Sequence, residues 1–163
     1  RPPGPQLHLH GLVQRSLKNM TTTTPTTPPK PLPTITELTR PFWTAAKQGK
    51  LVLQKCQRCG TFQFHPKAWC IDCGSRELQW TDAQPHGTVY SHTISRSVAM
   101  NFPGWQAELP VLMCLIDLDD GCRMYGQVTD CAPEALHIGM RVQVHFESIS
   151  DEAGIPKFRP LTA

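Results

Sequence analysis

Residues 56–74 read Cys56-Gln-Arg-Cys59-Gly-Thr-Phe-Gln-Phe-His-Pro-Lys-Ala-Trp-Cys70-Ile-Asp-Cys73-Gly74. Two Cys-x-x-Cys pairs lie ten residues apart. Two tight knuckles facing one another supply the tetrahedral S4 cage that zinc takes from four thiolates. Gly60 and Gly74 follow the second Cys of each pair, where a knuckle turns sharply and positive φ is needed. The spacing therefore predicts a metal ribbon ligated by Cys56, Cys59, Cys70 and Cys73. Zinc is the preferred ion, and iron is the alternative for the same cage. A closed S4 site leaves no position for water or substrate, so its role is structural. Phe62, Phe64, Pro66 and Trp69 are expected to form an apolar plug over one face of the ribbon.

Upstream, the pattern predicts a short helix over 34–49. Thr39 is its expected N-cap, Pro41 sits in the first turn, and Gly49 is its stop. Residues 1–33 hold eight of the sixteen prolines, and 21–29 contain only Thr and Pro. Such a segment buries too little apolar surface to offset its ordering entropy and reads as a disordered leader. Its most apolar piece, Leu7–Val13, is broken by His8 and His10 and makes a poor signal sequence. Met20 is a candidate start, with residues 1–19 an upstream remnant. The expected compartment is then a reducing cytoplasm, where cysteines favour metal over disulfides or a redox pair.

Downstream of Trp80 the pattern turns β. Residues 88–96 alternate, with Val89, Ser91, Thr93 and Ser95 on one face and Tyr90, His92, Ile94 and Arg96 on the other. Val111–Leu118 is continuously apolar, as for a strand covered on both sides. Asp119-Asp-Gly121 is a turn signal that returns the chain as a hairpin. Residues 140–147 have period two, 132–136 suit one helical turn, and a last extended piece centres on Phe158. About five strands in roughly 80 residues suit a small OB-type barrel better than a sandwich. The fold class is thus mainly β. Its parts are a leader (1–33), a helix and lead-in strand (34–54), a zinc ribbon (55–80) and an OB-fold domain (85–163).

Composition bears on function. Of 16 Lys and Arg, four precede Thr34, and from there on 12 basic residues face 13 acidic ones, a net charge of −1. Counting four thiolates and Zn2+ brings this to about −3. Single-strand nucleic-acid binding, the alternative reading for a zinc-ribbon/OB module, needs a basic groove that this charge does not supply. A rubredoxin-like electron carrier would be red with iron. No P-loop, nucleophile elbow or zincin motif occurs. Cys114, inside an apolar strand, reads as core, and His92 as a polar strand residue before a general base. The connection 97–110 carries Val98, Met100, Phe102, Trp105 and Leu109, which implies either a binding surface or local core capping.

Several motifs occur together and in order. They are Arg40-Pro-Phe-Trp43, Gly49-Lys-Leu-Val-Leu-Gln-Lys-Cys56 with Cys59-Gly60, Cys73-Gly-Ser75 and Leu78-Gln-Trp80. Gly87-Thr-Val-Tyr-Ser91, Leu118-Asp-Asp-Gly121, Ile138-Gly-Met140 and Phe158-Arg-Pro160 follow. Over 35–160 the chain resembles acyl-CoA-associated OB-fold proteins with an N-terminal rubredoxin-like zinc ribbon, a family long known as a domain of unknown function. One departure is Pro85, where the family often has Gly. The resemblance implies an accessory subunit of a thiolase-like enzyme, an aldolase or a hot-dog-fold hydratase, helping to form its acyl-CoA site while the partner supplies catalysis. Arg96, Met100, Phe102 and Trp105 are then the candidate acyl-CoA or partner contacts. Arg123, Arg141, Lys157 and Arg159 are further cations that could meet coenzyme A phosphates.

Overall fold

The computed structural model describes residues 30–97 and 103–161. The expectations for 1–29, Met100 and Phe102 lie outside these residues. Helix α1 (Arg40–Lys47) is shorter than the sequence pattern suggests. Thr39 makes no side-chain cap; the chain enters the helix through a turn started by Thr36. Thr36 Oγ1 accepts the Thr39 N–H (3.3 Å) and Thr39 Oγ1 accepts the Thr36 N–H (3.0 Å), a reciprocal box built from two threonines. Phe42 and Ala46 form the buried face of α1.

Strands β1 (Val52–Cys56), β2 (Phe62–Gln63) and β3 (Leu78–Asp82) make an antiparallel sheet in the order β2-β1-β3. A short link passes to β4 (His86–Ser95), then comes a one-turn helix α2 (Pro103–Gln106). Next come β5 (Val111–Leu118), β6 (Arg123–Val128), β7 (Arg141–Ser148) and β8 (Gly154–Pro160). These five strands close a barrel in the order β4-β5-β6-β8-β7, with β6 and β8 parallel. That is the Greek-key barrel of an OB fold. Pro85 does not break its lead-in, because its carbonyl accepts the Val144 N–H (2.7 Å). The Asp119–Gly121 turn closes with Gly121 at φ +82°.

The strict alternation expected in β4 is corrected by a bulge. Pairing with β5 runs Val89 to Ile116 and then Ser91 to Leu115, skipping Tyr90. One extra residue reverses the inside–outside parity. Val89 and Ile94 thus both pack in the core, while Tyr90 is exposed under the Arg123 guanidinium at 3.4 Å. In β5 only Leu112, Cys114, Ile116 and Leu118 face the core, and Leu115 is exposed, so its outer face is covered at one end alone.

Helix α1 joins ribbon to barrel. Phe42 packs on Phe64, and the last turn lies against Gly154. Lys47 Nζ donates to Ser148 Oγ and to the Ser150 carbonyl. One apolar cluster runs continuously from Phe42, Leu51 and Leu53 into Met124, Val142 and Phe158 of the barrel.

Candidate functional site

The four predicted ligands converge. All four Sγ atoms lie within 4.8 Å of one another, with Cys56–Cys73 and Cys59–Cys70 each at 3.6 Å. Sulfurs about 2.3 Å from a tetrahedral zinc stand about 3.8 Å apart, so the cage fits that ion. The knuckles are near copies. Gly60 and Gly74 donate to the Cys56 and Cys70 carbonyls (2.9 and 3.0 Å), with φ of +78° and +72°. Hydrogen bonding with Thr61, side chain and backbone, holds the Cys59 thiol down at about 6, whereas Cys73, despite a backbone hydrogen bond at Ser75, is pushed up to about 12 by burial and the other three sulfurs. All seven cysteines are free, and burial pushes the Cys114 and Cys122 thiols up to about 11.

The expected aromatic plug is only half present. Phe62 and Phe64 pack on the core, but Trp69 is 55% exposed. Two buried glutamines organise the loop instead. Gln63 Nε2 donates to Gln54 Oε1 (2.8 Å) and to the Trp69 carbonyl (3.3 Å), and Gln63 Oε1 accepts the Ile71 N–H (3.0 Å). Gln54 Oε1 also accepts the Lys67 N–H (2.8 Å), and its amide donates to the Lys67 carbonyl (3.1 Å). Nothing in the local sequence sets these two residues apart; the pairing of β1 with β2, which puts Gln54 opposite Gln63, brings them together.

The second feature is an apolar groove of about 460 Å3 where all parts of the chain meet. Its floor is the outer face of β5 and β6, from Val111, Met113, Tyr125 and Gln127. Phe42 and Trp43 of α1 and Phe64 of the ribbon form one wall; Trp105 and Leu109 form another, with Ile155 and Pro156 at β8. Its volume lies within the roughly 300–1,000 Å3 of small-molecule sites. Trp105, one of the candidate contacts, lines this groove. Arg96 is exposed and does not itself line the groove, although its chain neighbours Ser95 and Ser97 do.

Most of the other candidate phosphate cations are committed elsewhere. Arg123 pairs with Asp117 through two bonds (2.6 and 3.0 Å), and Arg141 with Asp119 likewise (2.7 and 2.8 Å). Lys157 is buried and bound to Glu108 and Glu147. Arg159 faces the Gln143 amide oxygen.

Comparison with known proteins follows this architecture part by part. The family model described as ChsH2, rubredoxin-like zinc ribbon domain, matches residues 43–79; that described as ChsH2, C-terminal OB-fold domain, matches 80–147. A DUF35 domain-containing scaffold protein of Pyrococcus furiosus is 30% identical over 118 residues, 69% of this chain and 84% of the relative. The chain belongs to the DUF35/ChsH2 family. A relative from Thermomonospora curvata, named a probable enoyl-CoA hydratase alpha subunit, is 35% identical over 120 residues, 73% of this chain. This DUF35/ChsH2 chain spans only 36% of that relative's length. A solved Ltp2-ChsH2(DUF35) aldolase superposes with a TM-score of 0.68 at 30% identity, covering 79% of this chain and 98% of that one. Among the described residues no helix is long and apolar enough to cross a membrane.

Proposed function

We propose that this DUF35/ChsH2 chain is a non-catalytic accessory subunit that binds acyl-CoA and associates with a thiolase-like enzyme, an aldolase or a hot-dog-fold hydratase. In that role it contributes its groove to the partner's acyl-CoA site. The observation that carries the reading is the apolar groove itself, open at the surface and walled by α1, the ribbon and Trp105. Apolar lining suits an acyl chain or pantetheine arm, and the exposed Arg96, next in sequence to Ser95 and Ser97 of the lining, is the proposed phosphate contact. The names of the relatives support the partner class: one is an aldolase carrying a DUF35 component, another an enoyl-CoA hydratase subunit. Zinc ligated by Cys56, Cys59, Cys70 and Cys73 would keep the ribbon folded so that Phe64 stays in the wall. Met100 and Phe102, close in sequence to Trp105, complete the proposed contact set.

The test is co-expression with a candidate thiolase-like, aldolase or hydratase partner, followed by calorimetry with decanoyl-CoA. Co-purification at fixed stoichiometry is expected, with tighter decanoyl-CoA binding by the complex than by the chain alone. Failure of both the chain and the complex to bind decanoyl-CoA would refute the proposal. Retardation of single-stranded DNA at low salt would favour the nucleic-acid alternative.

A further inference from the structure

The groove walls are held in two different ways. Phe42, Trp43 and Phe64 are seated in or against the continuous apolar core, whereas Trp105 stands apart from it on a helix of four residues. One helical turn has little stability of its own. What surrounds Trp105 instead is charge. The Lys30 ammonium sits 4.8 Å from the indole centre and that of Lys157 6.0 Å. Both lysines bind Glu108, three residues beyond Trp105, and both bind Glu147 on β7. The result is a closed, charge-neutral ring of two lysines and two glutamates on the outside of the barrel. The Lys157 side chain is only 5% exposed.

Net stability alone does not account for such a ring. Buried ion pairs rarely outperform apolar residues of similar volume, because desolvation cancels much of their attraction. What a ring of directional bonds supplies is position. We infer that Lys157 is a positioning residue for the groove: through Glu108 it fixes α2 so that Trp105 forms the wall, and Lys30 ties the incoming chain to the same clamp. The consequence for ligand binding rests on the acyl-CoA reading above; the placement of Trp105 does not.

That separation sets the experiment. The full chain is labelled with 5-fluorotryptophan, and the Trp105 signal is assigned with Trp105→Phe. Variants are Lys157→Met/Glu147→Gln, which keeps the ring neutral, Lys157→Arg, and Lys30→Gln, whose site lies outside every barrel strand. Zinc content and far-UV circular dichroism certify folding. The Trp105 resonance is expected to shift or broaden in the double variant and in Lys30→Gln, with Lys157→Arg close to wild type. Decanoyl-CoA affinity is expected to fall about tenfold or more in the double variant at unchanged zinc content. An unmoved Trp105 resonance in a folded double variant and in Lys30→Gln overturns the clamp, even when the wild type binds decanoyl-CoA. A shifted resonance in a chain that never binds decanoyl-CoA upholds the clamp and overturns the acyl-CoA reading. If the double variant does not fold, Lys30→Gln alone decides.

Discussion

Replacing Gly154 by alanine tests how α1 is docked, and the sign of the effect is diagnostic. A β-carbon at this position would stand 2.6 Å from the Ala46 carbonyl oxygen, 2.7 Å from its carbon and 2.9 Å from the Lys47 nitrogen. The closest of these is about 0.8 Å short of the 3.4 Å at which ordinary contact begins. All three are backbone atoms, so no side-chain rotation relieves them. The helix end cannot simply swing aside either. Ala46 O accepts the Gly49 N–H (3.1 Å), and Lys47 is anchored to Ser148 and Ser150. Gly154 has no left-handed φ. Without the clash, Gly→Ala would therefore stabilise the chain by about 0.4–1 kcal/mol through the unfolded state. With it, overpacking should destabilise by about 1–3 kcal/mol. At roughly 4 °C per kcal/mol for a folded unit of this size, calorimetry should show Tm falling by several degrees. Because α1 carries Phe42 and Trp43, the same variant should also disturb the groove. A Tm equal to or above that of the wild type would refute the close docking of α1 on β8.

Three further outcomes are expected. Cys70→Ser should lose the bound metal by elemental analysis and expose the amides of 56–74 to hydrogen exchange while barrel amides stay protected; full metal content in that variant would refute the ligand assignment. Gln63→Leu removes the hydrogen bonds to the Ile71 N–H, the Trp69 carbonyl and Gln54 Oε1, at about 0.5–1.5 kcal/mol for each bond lost, and should release zinc to a chelator faster than the wild type. Burial alone would raise the Glu108 and Glu147 carboxyls, but hydrogen bonds from Lys30 and Lys157 hold both below the usual range. Depressed carboxyls contribute stability above their unfolded value near 4.3, and that contribution is lost as pH falls through the folded values. Urea midpoints should therefore fall steeply below about pH 4, with a shallower fall in Glu147→Gln.

The parts of this molecule written in local chemistry were legible before any coordinates. Four cysteines at knuckle spacing with a glycine after each pair fix a metal cage by covalent geometry, and Gly60 and Gly74 take the positive φ that spacing demands. Period-two strands and an Asp-Asp-Gly turn likewise announce their own hairpins. What escaped depends on partners distant in the chain. The Tyr90 bulge is set by pairing with Ile116 and Leu115, so parity read from residues 88–96 alone comes out reversed beyond it. Thr39 has the composition of a cap, but Thr36 three residues earlier competes for the turn and wins. Lys30, Glu108, Glu147 and Lys157 are scattered over most of the sequence, and no window could join them.

The groove shows why ribbon and barrel travel together in one chain. A ribbon of this size has almost no core, so metal binding, worth about 10–16 kcal/mol in comparable small sites, is what places Phe64. Phe64 then supports Phe42 at 5.5 Å, Phe42 packs edge-on to Trp43 at 5.0 Å, and α1 is locked to β8 at Gly154. An outer barrel face with Met113 and Tyr125 would by itself be a shallow exposed patch; these aromatic walls turn it into a cavity. Removing the metal should accordingly abolish the groove while the barrel, with its own core of Ile116, Met124, Val142 and Phe158, stays folded. Under the proposed function, a metal in this closed tetrathiolate site would act on ligand binding through packing rather than chemistry.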